Sequence, residues 1–395
     1  MRSIALSGLP AMLACLLAIA GCASTPTPAP APDPRPPLTL VGYVTAGEPV
    51  RASAAAELDV ANFAFAAPDA AHRVSLGTAQ NAAALSELVR LRQQAPGLRV
   101  VLSIGGWGAG HFSEAAATPQ ARAVFVDSAM TLLRQYDLDG LDIDWEYPTL
   151  ADAGISASAD DKAHFTALLS DLRAALDAQG ARDGRRYLLT IAAAEGRLAS
   201  GLDLPAIAPL LDWINLMTYD FYGSLTPTTG HAAALGRSRL APAEARTTET
   251  AVDSFLRAGV PAAKLHVGMA FYGRRFGEVA PRQAGLLQPY RSDGGFISYR
   301  QIVEGDLTGS GGFESHWDPQ ARAAWLWNPR SAQMISYEDP RALREKVAYA
   351  RAQGLGGVMF WELHQDHGQD LLDVVRQAID APAPAAATSA LTPAR

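Results

Sequence analysis

Cysteine is almost missing. Cys15 and Cys22 are the two in the chain, and none follows. Beyond residue 22 this excludes disulfides, thiolate catalysis and zinc–cysteine centres. A basic surplus is missing too. Lys and Arg number 33 against 40 Asp and Glu, a net charge of −7, which argues against a nucleic-acid partner. Charged residues make up only 18% and hydrophobic ones 49%. That balance excludes a disordered or coiled-coil chain and supplies a large core.

The apolar stretch 4–20 carries no charge and follows Met1-Arg2, the form of an export signal over 1–21. Gly8 and Pro10 weaken the alternative of a transmembrane anchor. Ile19-Ala20-Gly21-Cys22 resembles a bacterial lipobox. The resemblance implies lipidation of Cys22 and attachment of the exported chain to a lipid bilayer in the cell envelope. Ala23 after the Cys resembles the outer-membrane default of Gram-negative lipoproteins. An ordinary signal peptide cut near Ala20 or Ala23 is the alternative. Residues 22–37 form a Pro-rich linker and 381–395 a similar tail, expected to be disordered. The folded body is expected over 38–380.

Within that body, strand-like apolar runs recur at 38–43, 60–66, 99–104, 140–147, 188–194, 213–220, 266–272 and 357–363. Helical periodicity marks 80–95, 120–136, 161–179 and 341–353. Eight strand–helix units argue for an α/β fold, either a (β/α)8 TIM barrel or an open doubly wound sheet. The last interval, from 266 to 357, is too long for one loop and one helix. Residues 275–339 are therefore expected to form a small α+β insertion subdomain between strand 7 and strand 8.

Residues 139–148 read DGLDIDWEYP. Alternation along a strand puts Asp142, Asp144 and Glu146 on one face and Leu141, Ile143 and Trp145 on the other. In a barrel the apolar face packs under the helices, and the acids point inward toward the C-terminal mouth. Desolvation and mutual repulsion then raise the carboxyl pKa values, the condition for a general acid. The alternative is a structural cluster neutralised by Arg or Lys from another strand.

Asp139-x-x-Asp142-x-Asp144-x-Glu146 resembles the DxxDxDxE signature of glycoside hydrolase family 18. Other segments agree: Ser103-Ile104-Gly105-Gly106-Trp107, Met217-Thr218-Tyr219-Asp220, residues 229–235, Phe271-Tyr272-Gly273-Arg274, Ile335-Ser336-Tyr337-Glu338 and Gly357 to Glu362. This resemblance selects the TIM barrel. It also implies retaining, substrate-assisted hydrolysis of β-1,4-linked N-acetylglucosamine in chitin or chitooligosaccharides. Glu146 would protonate the glycosidic oxygen, while the substrate's acetamido oxygen attacks to form an oxazolinium ion. Asp144 would orient the acetamido group, Asp142 would share a proton with Asp144, and Tyr219 would hold the acetamido carbonyl. Asp220, Tyr272 and Arg274 would bind the distorted sugar, with Trp361 as its floor. By the same carry-over Asp139, Tyr43, Phe65, Trp107 and Met217 are substrate-binding. Taken alone, Trp361, Tyr219, Tyr43, Phe65 and Met217 would read as core. Cis peptide bonds are implied at Glu146–Tyr147, Trp361–Glu362 and Ala64–Phe65.

No metal and no cofactor are expected. His364-Gln365-Asp366-His367 contains possible ligands, but the implied mechanism uses none. Tyr43-Val-Thr-Ala-Gly47 lacks the tryptophan that many family members carry after strand 1, which favours soluble oligosaccharides over crystalline chitin. No separate carbohydrate-binding domain fits the length, and a monomer is the default. Two other functions remain open. One is a hydrolase of another N-acetylglucosamine polymer, peptidoglycan or N-glycan. The other is a chitin-binding lectin, against which the presence of Glu146 argues.

Overall fold

A computed structural model describes residues 37–309 and 311–382. The expected export signal, Cys22, the linker up to residue 36 and the tail from 383 lie outside the described residues.

The eight apolar runs become eight parallel strands. They are β1 (Thr39–Thr45), β2 (Val60–Pro68), β3 (Arg99–Gly105), β4 (Gly140–Asp144), β5 (Leu188–Ala193), β6 (Trp213–Leu216), β7 (Leu265–Ala270) and, after the insertion, β13 (Gly357–Trp361). Each pairs with the next, and β1 pairs with both β2 and β13, so the sheet closes into a barrel. The strands read as continuous apolar runs because both their faces are covered.

Alternation divides the core in two. Leu40, Val44, Leu141, Ile143 and Trp145 face outward into the layer under the helices. Val41, Tyr43, Val60, Val101, Leu188, Trp213 and Met359 fill the barrel interior. Trp145 stacks on Phe112 at 5.3 Å and meets Phe165 edge-on at 5.4 Å, which anchors the outer face of β4. Fully burying each such large apolar side chain contributes roughly 1.5–3 kcal/mol.

Helix starts follow local chemistry. Thr78 and Thr118 accept from the backbone amides of Asn81 and Ala121, and Asp339 from that of Ala342. Pro119 and Pro340 occupy the first helical turns. The helices Ala79–Arg90, Pro119–Gln135 and Pro340–Ala352 lie close to the expected ranges. Asp161–Asp183 runs four residues further, to the left-handed cap Gly184.

The insertion starts earlier than residue 275. After β7 the chain passes one residue, Phe271, and enters a second sheet: β8 (Tyr272–Gly277), β9 (Ser292–Ser298), β10 (Glu314–Asp318), β11 (Ala323–Asn328) and β12 (Gln333–Tyr337). Its order is β9-β8-β12-β11-β10, all antiparallel. Tyr272 and Arg274 therefore belong to the insertion and not to barrel strand 7. Among the described residues no helix is long and apolar enough to cross a membrane.

Candidate active site

The acids of β4 face inward at increasing height. Asp142 is fully buried and accepts four hydrogen bonds. Tyr43 Oη and Ser103 Oγ donate to its Oδ2, each at 2.8 Å. Thr190 Oγ1 at 2.5 Å and Asn215 Nδ2 at 3.3 Å donate to its Oδ1. The donors come from β1, β3, β5 and β6, so the closed barrel converges them on one carboxyl. Burial raises the Asp142 pKa, and the hydrogen bonds pull it back.

Asp144 sits one step higher with no such support. Its Oδ1 is buried and has no hydrogen-bond partner among the described residues. Burial first, then the nearby charges of Glu146 and Asp142, hold its carboxyl well above the usual range. A proton is better held on Asp144, because the negative charge is better solvated on Asp142.

Glu146 lies beyond the paired part of β4, half-buried in the mouth. Burial pushes its carboxyl up to about 7, and the like charge of Asp220 adds to this. A hydrogen bond with Tyr147 opposes the rise. An acid with that pKa carries a proton for part of the population at neutral pH, the poise general acid catalysis needs.

Two glycines let the neighbouring strand approach this ladder. Gly105 has φ +133°, and a Cβ there would lie 1.9 Å from the Asp144 carbonyl oxygen. A Cβ on Gly106 would lie 2.6 Å from the Phe65 ring, and the Gly106 amide donates to the Asp144 carbonyl at 2.9 Å.

The cleft is walled by aromatics. Trp361 stacks on Phe65 at 5.4 Å with 16° between planes and leans on Tyr43 at 5.7 Å. Met217 and Tyr219, both half-buried, pack against the same interior cluster. The Tyr219 hydroxyl lies 3.9 Å from Met359 Sδ. Tyr219 meets Tyr272 edge to face at 6.1 Å. Tyr272 donates to Asp220 Oδ2 at 2.9 Å. Reduced hydration in the cleft raises Asp220, offset by that bond and by Arg274, although its outer side remains open to solvent. Arg274 is buried, 3.4 Å from Asp293 and 4.2 Å from the Phe296 ring centre. Trp107 stands at the rim, 58% exposed, edge-on to Tyr147. The cis peptide bonds fall at Ala64–Phe65, Glu146–Tyr147 and Trp361–Glu362, as the motifs implied.

Two expected sites take different places. Asp139 is not brought to the mouth. It precedes β4, at the opposite end of the barrel, where Arg92 Nη2 at 2.5 Å, Arg185 Nη1 at 3.4 Å and the Val100 amide at 2.7 Å hold it. Its position in the signature is structural, because three donors at the barrel floor use up its carboxylate. Tyr43 is 1% exposed and spends its hydroxyl on Asp142, so it supports the acid from beneath and does not face a ligand.

Thr190 and Asn215 were not anticipated. Their signal was present: single polar residues at inward positions of the apolar runs LLTIAAA and WINL. Phe296, 62% exposed beside Tyr272 and Arg274, gave no local signal. The candidate ligands at 364–367 diverge. His364 faces Glu362 and Thr45, Asp366 caps the helix Asp370–Asp380 through the amides of Leu371 and Leu372, and His367 bonds Asp370. Among the described residues no group of His, Cys, Asp and Glu is arranged to hold a metal ion.

A tuned acid, a buried carboxyl pair and an aromatic floor suit acid-catalysed cleavage at a ring with an apolar face. Comparison with known proteins agrees in kind. The pattern of the family described as Glycosyl hydrolases family 18 matches residues 39–366. Chitinase A1 of Niallia circulans is 40% identical over 306 residues, 73% of this chain and 43% of that protein. Chitotriosidase-1 of Mus musculus is 34% identical over 320 residues, 77% of this chain and 66% of that protein. The chain thus spans about half to two thirds of the length of these relatives. A solved structure of a glycoside hydrolase family 18 N-acetylglucosaminidase from Paenibacillus barengoltzii superposes with a TM-score of 0.81 at 38% identity, covering 86% of this chain and 99% of that one.

Proposed function

The chain belongs to glycoside hydrolase family 18, and from that membership we propose that it hydrolyses β-1,4 links of N-acetylglucosamine in chitin or chitooligosaccharides with retention of configuration. The observation that carries the reading is the graded ladder of Asp142, Asp144 and Glu146 facing the barrel interior, against which Trp361 also packs. The relatives, two chitinase-type enzymes and an N-acetylglucosaminidase, support the substrate class.

Chemistry follows from the environments. Glu146, near 7, gives its proton to the glycosidic oxygen as the bond breaks. The substrate's acetamido oxygen attacks the anomeric carbon, so no enzyme nucleophile is required. Asp144, whose Oδ1 has no partner among the described residues, accepts the acetamido N–H and faces the positive charge that develops. Asp142 shares a proton with Asp144: as the charge develops, the proton held on Asp144 passes to Asp142, which leaves Asp144 as the carboxylate that faces the oxazolinium ion. Tyr219 holds the acetamido carbonyl in line, a proximity effect. Glu146, now ionised, activates the water that opens the oxazolinium ion.

For the segment before residue 37 we propose export and lipid anchoring at Cys22 in the cell envelope, supported by the lipobox-like Ile19-Ala20-Gly21-Cys22. Membrane fractionation of Cys22→Ser tests it; a variant that stays with membranes after signal cleavage overturns it.

Mass-spectrometric product analysis with N-acetylglucosamine tetramer, beside Glu146→Gln and a peptidoglycan control, tests the activity. Products of initially β configuration, absent in the variant, are expected. Tetramer binding without cleavage means a lectin, and muropeptide release without tetramer cleavage means a peptidoglycan hydrolase.

A further inference from the structure

The acid ladder is not the sole buried ionic feature. Lys346 and Glu338 face each other at 2.9 Å, their side chains 1% and 2% exposed. Lys346 lies on the helix Pro340–Ala352, and Glu338 directly follows β12. Lys346 Nζ also donates to the Gly268 carbonyl at 2.9 Å and to the Thr218 carbonyl at 3.4 Å. Its ammonium group therefore donates to two carbonyls on different segments and pairs by charge with the carboxylate of a third. Glu338 Oε2 accepts from the Ala270 amide at 2.7 Å. Thr218 Oγ1 donates to the same Gly268 carbonyl at 2.8 Å.

These bonds tie the chain just beyond β6 to the C-terminal half of β7 and to the exit from the insertion. Both tied ends lead straight into the cleft. The Thr218 carbonyl belongs to the peptide that joins Tyr219, and Ala270 lies two residues before Tyr272. The seam leaves no slack. A Cβ on Gly268 would lie 2.3 Å from the Leu216 carbonyl oxygen and 3.0 Å from Tyr219 Cε1.

Stability does not explain such a pair. The desolvation of two buried charges offsets their attraction, and apolar side chains of similar volume do as well or better. What the pair supplies is direction and length: an ammonium group gauges the separation of two carbonyls from one carboxylate. We propose that the Lys346–Glu338 pair is a positioning device that sets Tyr219 over Asp144 and Tyr272 against Asp220. The consequence for turnover rests on the hydrolase reading above.

The test uses the full chain carrying Lys346→Met and Glu338→Leu together, which removes both charges. The expected variant keeps its Tm within about 5 °C of wild type. Its KM for N-acetylglucosamine tetramer stays within about threefold while kcat falls about tenfold to a hundredfold. Its crystal structure shows the Tyr219 ring displaced relative to Asp144. Unchanged kcat in the folded variant, or an unmoved Tyr219, overturns the proposal. If wild type cleaves no N-acetylglucosamine polymer, the hydrolase reading fails by itself, and the Tyr219 position in the two crystal structures still decides this one. Should the double variant not fold, Glu338→Gln is read by the same two measurements, since it removes the charge and keeps an acceptor for Ala270.

Discussion

Replacing Glu146 with Gln tests the ladder through stability as well as rate. In the fold the Glu146 carboxyl rises from its ordinary 4.5 to about 7. The folded protein thus binds this proton more tightly than the unfolded chain. The resulting stabilisation is fully present below 4.5 and is lost as pH rises through 7. A change of that size corresponds to about 3 kcal/mol at complete desolvation, and to about 1–2 kcal/mol once partial exposure in the mouth is allowed for. Gln cannot ionise, so the variant escapes the loss. In a chain of this length, about 2 °C of Tm accompanies each kcal/mol. Relative to wild type, Glu146→Gln should therefore gain about 2–4 °C more at pH 8.5 than at pH 4. The same substitution should lower kcat by about 10²–10⁴-fold. Scanning calorimetry at the two pH values and initial rates on the tetramer provide both readings. A Tm difference equal at both pH values refutes the raised acid, even where the rate falls.

Three further outcomes follow from the geometry. Asp220→Asn removes a like charge that lifts Glu146, so the basic limb of the kcat/KM profile should move to lower pH; a limb that stays or rises contradicts the coupling. Asp139→Asn should cost about 1–3 kcal/mol in urea unfolding, because two arginines at the barrel floor lose their shared anion, with KM and kcat unchanged. Gly105→Ala forces a Cβ against the Asp144 carbonyl at a positive φ, so it should lower stability by about 3 kcal/mol or more and reduce activity in the fraction that folds.

The sequence showed the barrel and the acid ladder because both rest on period-two alternation within single strands. Leu141 and Ile143 against Asp142 and Asp144 can be read without a partner strand. What was not legible depends on closure. Nothing in the run WINL says that Asn215 reaches Asp142, since 73 residues separate them and the barrel's curvature brings them together. Asp139 misled for a related reason. A shared signature does not reveal that residue 139 stands at one end of β4 and residue 146 beyond the other. The sequence reading starts the insertion at about 275 and the first insertion strand begins at Tyr272, because β8 follows β7 after one residue and two strands of different sheets read as one run. Phe296 is an isolated aromatic on an insertion strand, and only the approach of β9 to β8 puts it beside Arg274.

The insertion leaves the barrel beside the place where it enters. Gly273 on β8 pairs with Tyr337 on β12, and Phe276 with Met334. A segment whose two ends are neighbouring strands closes on itself and asks nothing of the barrel's strand order. Its inner side joins the layer outside the barrel, where Ile297, Ile302, Leu326 and Ile335 share a core with Val267 and Phe360. Its removal is therefore not silent. Tyr272 and Arg274 travel with it, and so does the partner that Asp220 meets across the cleft. A chain without the insertion would retain Asp142, Asp144 and Glu146 but would lose Tyr272 and Arg274 from the cleft. The boundary between the acid ladder and the cleft groups that the insertion supplies therefore lies at the single residue between β7 and β8.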